Sequence, residues 1–276
     1  MAQNIKDIIY SIIDGKATVT GFTGEPSFIV VPPEIDGCTV TEIRDNAFYK
    51  CVSLKQIILP ETIERMGHHC FFGCTSLESA DLPAAMEEIG MGCFCQCSSL
   101  SYVTLPEKIT KIPDSCFRGC TALTEITIPP DVKTIEKFAF CGCTALKTVN
   151  MDPALLSIGD YAFFMCDSLT DMYVPASVRT FGNEAIGFDS DGSRHSLTED
   201  FAMAVEYGSP AEKYASDNSL EYRYVSGENG EFSLYDSRNA PIDVPDAFGI
   251  AGSLLLAAAI TSVLFRRKRH DKHRRF

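Results

Sequence analysis

The chain lacks tryptophan, and it lacks the short motifs that mark many enzymes. No G-x-S-x-G, no H-E-x-x-H, no phosphate-binding glycine loop and no dinucleotide fingerprint occurs in its 276 residues. The five histidines stand in two close sets plus His195, a pattern typical of exposed loops and tails. We therefore predict a protein without catalytic activity, cofactor or metal. An enzyme with an atypical site remains the alternative, and it would need a deep pocket lined by titratable groups.

Residues 1–28 lack the basic start and uninterrupted apolar run of a secretory signal peptide. Ile8-Ile9 and Ile12-Ile13 are separated by Tyr10-Ser11 and preceded by Asp7. No export signal of the usual kind is therefore visible in this stretch. The alternation in Lys16–Thr20 indicates a β-strand followed by a turn.

What the sequence does contain is one unit of 23 residues, repeated. Six cysteines stand 23 residues apart: Cys51, Cys74, Cys97, Cys120, Cys143 and Cys166. A leucine follows each of them by three positions, two further apolar residues come next, and a proline ends the run in five of the six repeats. A small residue and a phenylalanine close each unit, as in Cys93-Phe94 and Ala139-Phe140. Recurrence at this length is typical of a solenoid.

One such unit cannot bury its own apolar row. Apolar residues two positions apart share one face of a strand, and proline ends that strand because it has no N–H to donate. Stacking the units would give a continuous interior and a parallel sheet at about 4.8 Å per coil. Because solenoid ends need covering, we predict an N-terminal β cap over residues 1–28. Residues 29–50 read as an irregular first repeat, with five extra residues in Pro33–Thr39 that predict a surface loop.

The pattern C-x-x-L-x-x-[IV]-x-L-P…I-G-x-x-[AC]-F-x-x-C resembles the BspA-type leucine-rich repeat family, also called the treponemal-type 23-residue class. The resemblance covers roughly residues 29–225. It implies a right-handed leucine-rich repeat coil with a parallel β-sheet on one face and no catalytic residues in the repeat. Known members are largely surface or secreted proteins of bacteria and some protists, and several bind host proteins or mediate adhesion.

We predict the solenoid over residues 29–187 and a small α+β C-terminal cap over 188–225. Gly187–Ser196 is rich in Gly, Asp and Ser, which predicts an exposed loop. Ser209 followed by Pro210 and Glu212 predicts the start of a short helix between two strands. This strand, helix and strand also resemble the cap that is common in the family.

The positions between the apolar rows predict the binding surface. Stacking aligns them on one face of the sheet, and exposed aromatics among hydroxyls and acids are common in protein-recognition patches. Ile58, Tyr102 and Tyr173 are the informative members; a merely strand-compatible surface is the alternative. The predicted partner-binding residues are Lys55, Ile58, Glu78, Asp81, Tyr102, Thr104, Glu125, Thr127, Thr148, Asn150, Asp171 and Tyr173.

Twelve cysteines raise the question of disulfides or metal. Six of them form the ladder above, and Cys70, Cys93 and Cys116 share a second position that alanine fills in other repeats, so we expect free, buried thiols. Disulfides between repeats remain an alternative with poor geometry. The Cys93-x-Cys95-x-Cys97 run near His68-His69 is weak evidence for metal, because its cysteines already belong to the ladders.

A linker over residues 226–246 precedes nineteen residues, 247–265, that carry no charge. As a helix they would span about 28 Å, close to the thickness of the hydrocarbon layer, and a basic tail (266–276) follows directly. We predict a single C-terminal transmembrane helix with the tail in the cytoplasm; a buried terminal helix of a soluble protein is the alternative. The positive-inside rule then favours an extracytoplasmic solenoid, although insertion from the C-terminus would leave it in the cytosol.

The folded part is strongly acidic. The tail holds seven Lys/Arg and one Asp, which leaves 17 basic and 36 acidic side chains, a net charge of −19, in residues 1–246. This charge disfavours nucleic acid and anionic lipid and favours basic partners. We predict a membrane-anchored recognition or adhesion module at the cell surface that binds a basic or extracellular-matrix type of protein. The alternative is an intracellular, membrane-tethered scaffold for basic protein partners.

Overall fold

The computed structural model describes residues 7–190, 195–198 and 200–225. The predicted linker, transmembrane segment and basic tail lie outside these residues. Within the described ranges, no helix is long and apolar enough to cross a membrane.

The chain begins with two strands, β1 (Ile8–Ile13) and β2 (Lys16–Phe22), which pair antiparallel through a turn at Asp14-Gly15. The next three strands are β3 (Phe28–Val30), β4 (Glu34–Ile35) and β5 (Cys38–Ile43). β2 lies parallel to β5, so the hairpin extends the solenoid and covers its first coil.

The extra residues of the first repeat do not form an open loop. β4 and β5 pair antiparallel as a tight hairpin, with Asp36 and Gly37 both at positive φ in its turn. Ile35 is buried by this hairpin. The predicted surface loop is therefore largely a structured turn, because Ile35 gives it an apolar side chain to place against the core.

Each later coil contributes a longer strand followed by a two-residue strand. In chain order these are β6 (Gln56–Ile58), β7 (Arg65–Met66), β8 (Ser79–Asp81), β9 (Glu88–Ile89), β10 (Tyr102–Thr104), β11 (Lys111–Ile112), β12 (Glu125–Thr127), β13 (Thr134–Ile135), β14 (Thr148–Asn150), β15 (Ser157–Ile158), β16 (Asp171–Val174) and β17 (Thr180–Phe181).

The coils stack in parallel on two sides rather than one. On the first side, β3, β6, β8 and β10 form a four-stranded sheet, and β12 pairs with β14. On the second side, β2, β5, β7 and β9 are parallel neighbours, as are β11, β13, β15 and β17. The predicted parallel sheet is confirmed. The second column of strands was not predicted, because two residues per strand leave too short a pattern to recognise.

A column of phenylalanines fills the interior. Its rings lie parallel, with neighbouring centroids 5.1 to 5.5 Å apart and planes within 9° of each other, and the members are Phe48, Phe71, Phe94, Phe117, Phe140 and Phe163. Aromatic pairs in van der Waals contact add roughly 0.5–1.5 kcal/mol each to the burial of their area. The column therefore ties each coil to the next.

The cysteine ladder satisfies backbone carbonyls inside the solenoid. The Sγ of Cys74 donates to the carbonyl of Phe48 at 3.1 Å, and Cys97, Cys120, Cys143 and Cys166 each repeat this bond to the phenylalanine 26 residues earlier, at 3.1–3.3 Å. A small side chain with a weak donor suits this position. All twelve cysteines are free.

Cys51 departs from the other members of the ladder. It is only half-buried, because the coil before it is the irregular first repeat. The expectation of a fully buried ladder therefore holds for five of its six cysteines. The second cysteine column is buried as expected, with Ala139 and Ala162 continuing it.

Glycine is required where coils approach most closely. A Cβ at Gly90 would lie 2.3 Å from the carbonyl carbon of Gly67, and one at Gly182 would lie 2.2 Å from the amide nitrogen of Asp160. These distances are far below van der Waals contact, so a side chain there would force the backbones apart. The I-G step of the repeat follows from this contact.

The C-terminal cap begins with β18 (Phe188–Ser190), β19 (His195–Leu197) and β20 (Ala202–Val205), followed by α1 (Pro210–Asp217) and β21 (Glu221–Tyr224). β18 and β19 pair antiparallel, so the prediction of an exposed loop was wrong for residues 188–190 and 195–196; residues 191–194 lie outside the described residues. Phe188 packs against the core, which outweighs the loop-like composition around it.

The predicted helix start is confirmed. The Oγ of Ser209 accepts a bond from the amide of Glu212 at 3.2 Å, and the Glu212 carboxylate accepts from the amide of Gly208 at 2.6 Å. Tyr214 then anchors the helix to the last coil: its hydroxyl donates to the Ile186 carbonyl, and its ring stacks on Phe181 at 4.5 Å. The helix therefore closes the open end of the core.

Candidate functional site

The outward side chains of the longer strands form a surface that we call the A face, defined by β3, β6, β8, β10, β12, β14 and β16 with the residue before each strand. In five of these strands the central residue is buried between two exposed ones. In β8 the first residue, Ser79, is half-buried instead of exposed. In β16 the alternation extends over four residues. Alternation of this kind follows from the two-residue period of a β-strand. The outward residues are thus not needed for the core and are free to serve another purpose.

The structure places the predicted partner-binding residues together on the A face. Eleven of the twelve are exposed, namely Lys55, Ile58, Glu78, Asp81, Tyr102, Thr104, Glu125, Thr127, Thr148, Asn150 and Asp171. That they contact a ligand stays a prediction.

Tyr173 is the exception, because it is half-buried and held by the cap. Its hydroxyl donates to Oε1 of Glu206 at 2.8 Å, and the amide of Ala176 donates to the same oxygen at 3.2 Å. Burial and then the neighbouring carboxylate raise the pKa of Tyr173 above its ordinary value. Tyr173 therefore serves the join between solenoid and cap, and its contribution to a binding surface is reduced.

Asp171 is also engaged by the cap. The guanidinium of Arg223 on β21 reaches across β20 and pairs with its carboxylate. Ala202 and Ala204 on β20, which face the same way as Asp171 and Tyr173, are buried. The C-terminal end of the A face is thus closed by side chains of the protein itself.

Sequence reasoning missed two residues at the other end, Phe28 and Val30. They are 42% and 39% exposed, and they pair in register with Gln56 and Ile58 of the next coil. Ile58 is 46% exposed. We call Phe28, Val30 and Ile58 the apolar patch. Aligning Val31-Pro32 with the proline-ended strands of later repeats was the signal that could have placed Phe28 and Val30 on the A face.

The middle of the A face is a network of hydroxyls, amides and acids around Tyr102, which is 57% exposed. The hydroxyl of Thr104 lies 3.0 Å from the Tyr102 oxygen and 3.4 Å from Oδ1 of Asp81. Further along, the amide nitrogen of Asn150 donates to Glu125 at 3.0 Å. These groups are bonded to one another but remain open to solvent.

The outward side chains of the two-residue strands, together with the corners beside them, form the B face. Its charges are paired from coil to coil: Arg65 with Glu42 at 3.2 Å, Lys111 with Glu136 at 3.0 Å, Lys137 with Asp114 at 3.3 Å, Lys108 with Glu87 at 3.7 Å and Lys16 with Glu64 at 3.5 Å.

The A face has a different electrostatic character. Among the residues that the structure describes, its one ion pair is that of Asp171 and Arg223, so Glu78, Asp81 and Glu125 have no cation bound to them. Lys55 and Lys147 are the basic residues of this face. Exposed apolar side chains and acids without an ion pair thus occur together on the A face, whereas five ion pairs join charges on the B face.

A shallow depression of about 500 Å³ lies on the B face. It is lined by Asp114, residues 134–137, residues 157–160 and residues 180–182. Its carboxylates are already used: Glu136 accepts from the amide of Asp114 and pairs with Lys111, and Asp160 accepts from the amide of Asn183. These groups hold neighbouring coils together and do not form a catalytic constellation.

The interior thiols have low reactivity. Burial raises the pKa of Cys74 to about 12 and holds the pKa of Cys97, Cys120 and Cys166 well above its ordinary value. A thiol that keeps its proton is a poor nucleophile and a poor metal ligand. In the described ranges, no three His, Cys, Asp or Glu side chains converge as a metal site would require.

Stacked 23-residue coils with a phenylalanine column, parallel strands and caps define a solenoid of the leucine-rich repeat class. The chain belongs to the BspA type leucine rich repeat region family, whose model matches in six copies over residues 35–144 and 110–198. The predicted resemblance is confirmed.

Solved structures agree with this assignment. The leucine rich repeat protein of Treponema pallidum is 30% identical, with a TM-score of 0.61 over 66% of this chain and 86% of that one. A leucine rich cell surface protein from Faecalibacterium prausnitzii is 24% identical, with a TM-score of 0.60 over 76% of this chain and 65% of that one, and it supports the fold alone. A comparison with curated proteins finds no match.

Proposed function

We propose that this leucine-rich repeat protein is anchored in a membrane at its C-terminus and recognises a protein ligand through the A face, with no chemistry of its own. The observation that carries the proposal is the contrast between the faces. The B face carries five ion pairs, whereas on the A face Glu78, Asp81 and Glu125 lie beside exposed apolar side chains and form no ion pair with any residue that the structure describes. Surfaces of this composition suit protein recognition.

The ligand is a basic protein, of an extracellular-matrix type if the solenoid lies outside the cell. Residues 1–246 carry a net charge of −19, which accelerates encounter with cationic partners and repels nucleic acid. The uncharged stretch 247–265 with its basic tail supplies the anchor. Seven cations in that tail favour its retention in the cytoplasm, and hence an adhesive solenoid on the outer surface.

Protease accessibility of the full-length chain, tagged at residue 1, tests the orientation. Digestion of the tag and solenoid in intact cells is the expected result. Protection until the cells are permeabilised would overturn the surface-adhesin proposal. It would favour the second candidate, an intracellular membrane-tethered scaffold. The twelve free cysteines support this candidate, because thiols persist in reducing compartments.

Binding is tested with the full-length chain in detergent and a purified basic matrix protein such as collagen. Asp81→Lys reverses a charge on the A face, and Glu88→Lys makes the same change in the same coil on the B face. The expected result is at least a tenfold weaker affinity for Asp81→Lys and an unchanged affinity for Glu88→Lys. Equal loss in both variants would show that net charge, and not the A face, governs binding.

A further inference from the structure

The apolar patch is a contiguous part of the A face. Phe28 and Val30 lie on β3, Ile58 lies on β6 directly beside Val30, and strands in a sheet are about 4.8 Å apart. The three side chains are between 39% and 46% exposed. Large apolar residues scattered singly need no explanation, but neighbouring ones at a strand face mark a contact surface.

Two carboxylates adjoin this patch. Asp81 on β8 occupies the same outward row as Val30 and Ile58, and β8 lies next to β6 in the sheet. Glu78 stands just before β8 and is exposed. The nearest lysine on this face is Lys55, whose carbonyl accepts from the Glu78 amide at 3.0 Å. This part of the face therefore has one cationic side chain for two acidic ones.

We infer that the patch and these acids form one bipartite subsite. Its ligand is an extended segment of a partner protein, with a bulky apolar side chain on Phe28, Val30 and Ile58 and a Lys or Arg two or four positions away that pairs with Asp81 and Glu78. The inference rests on the proposed function. It specifies which part of the A face contacts the partner first and which side chains of the partner this part recognises.

The spacing follows from the sheet. Val30 and Asp81 are two strands apart, which is about 10 Å, and Ile58 and Asp81 are one strand apart. An extended peptide rises about 3.3 Å per residue and alternates its side chains between two faces, so side chains two or four positions apart share a face and are separated by roughly 7 or 13 Å. A segment that crosses the strands along the solenoid axis therefore reaches both halves of the subsite.

Charge complementarity decides between this ligand and a second copy of the chain. Residues 1–246 carry a net charge of −19, so two such surfaces repel each other. Basic residues in the partner are attracted instead, and the exposed rim position of Asp81 and Glu78 affects the association rate and specificity most strongly. Tyr102, beyond β8, offers a ring against which a guanidinium can stack.

The experiment selects peptides from a random twelve-residue library on the immobilised full-length chain in detergent. Selected peptides are then titrated against the unmodified chain, Ile58→Ser, Asp81→Lys, Thr148→Lys and Glu88→Lys. Thr148→Lys tests the distal half of the A face, and Glu88→Lys tests the B face. All four residues are at exposed positions, and circular dichroism with thermal unfolding verifies that each variant keeps the fold.

The expected result is enrichment of peptides with an apolar residue and a Lys or Arg two or four positions apart. Their affinity falls at least tenfold in Ile58→Ser and in Asp81→Lys, falls less in Thr148→Lys, and changes less than twofold in Glu88→Lys. Enriched peptides that depend on Thr148 alone would overturn the subsite and leave A-face recognition intact. Dependence on Glu88 alone would overturn both, and a library without any enriched motif would overturn the subsite only.

Discussion

The interior and the A face of this solenoid are built from the same strands, yet they follow different rules. Inside, successive coils repeat the same contacts: the phenylalanine column from Phe48 to Phe163 and the bond from cysteine to carbonyl from Cys74 to Cys166 recur at intervals of 23 residues. Outside, each outward position of the A face holds different residues in different coils. Apolar, acidic and hydroxyl side chains therefore alternate from one coil to the next. The contrast shows that the repeat specifies stacking and leaves the face free for recognition.

The sharpest way to test this contrast is to remove the same side chain from both regions. Phe117 is fully buried between Phe94 and Phe140, with centroids 5.5 and 5.4 Å away, whereas Phe28 is 42% exposed. Phe117→Ala should lower the free energy of unfolding by about 4 kcal/mol, because it leaves a cavity in a core that cannot collapse. Phe28→Ala should lower it by only about 1–2 kcal/mol, because just over half of Phe28 is buried.

Urea unfolding followed by circular dichroism measures both values on the full-length chain in detergent. The two variants control for each other, because the atoms removed are identical. Similar losses in both would contradict the division between a structural interior and a tolerant face.

A smaller loss is expected where backbones touch. In Gly90→Ala the new methyl group would stand 2.3 Å from the Gly67 carbonyl carbon, so neighbouring coils must separate, at a cost of about 2 kcal/mol. Gly21→Ala is the matched control, since the nearest atom there is 3.6 Å away and the change should stay within about 0.5 kcal/mol. Thermal unfolding of both variants decides the point, and equal melting temperatures would exclude close coil contact at Gly90.

The buried thiols add a pH dependence that an exposed face cannot have. Cys74 keeps its proton to a pKa of about 12 when folded, whereas its ordinary pKa is 9.0. The stability contributed by a raised pKa is fully present below pH 9 and is lost as pH rises from about 9 towards 12. The destabilisation caused by Cys74→Ala, about 1–2 kcal/mol at pH 8, should therefore shrink by about 1.4 kcal/mol at pH 10.

Urea titrations with reductant at pH 8, 9 and 10 measure this difference. Val103→Ala is the control, because it removes buried atoms without a titratable group, and its destabilisation should not change with pH. A constant difference for Cys74→Ala as well would mean that its thiol is not shielded from water.

The smallest effect is expected on the B face. The pair of Arg65 and Glu42, at 3.2 Å, is open to solvent, so Arg65→Ala should destabilise the chain by about 0.5 kcal/mol and by less in 1 M salt. Lys55 on the A face forms no ion pair with any residue that the structure describes, so Lys55→Ala should have no measurable effect on stability. Chemical denaturation at low and high salt compares the two, and a loss above 2 kcal/mol for Arg65→Ala would show that the pairs on the B face contribute substantially to stacking.

Much of the core could be predicted because its signal recurs. Each core position, whether cysteine, leucine or phenylalanine, occurs in several repeats, so the sequence shows the same preference several times. The N-cap at Ser209 could be predicted from a local motif. Departures from the repeat could not be predicted in the same way. The β4–β5 hairpin, the β18–β19 hairpin and the half-buried Cys51 each occur once, and in each case contact with the neighbouring coil determines the outcome.

The candidate site was also predictable only in part. Alternation along each strand was enough to place Ile58, Asp81 and Tyr102 on the outside. Pairing between residues far apart in sequence was not visible, so the engagement of Tyr173 by Glu206 and of Asp171 by Arg223 came only from the folded cap.

The sequence by itself determined that the chain is a solenoid of the BspA type, because a repeated unit with one apolar face has no stable alternative to stacking. It also determined which side chains point outward, since the period of a strand is local. Only the tertiary structure decided which of those outward residues stay exposed. Stacking brings residues about one repeat apart into contact, and it forms five ion pairs on the B face while leaving Glu78, Asp81 and the apolar patch exposed to solvent.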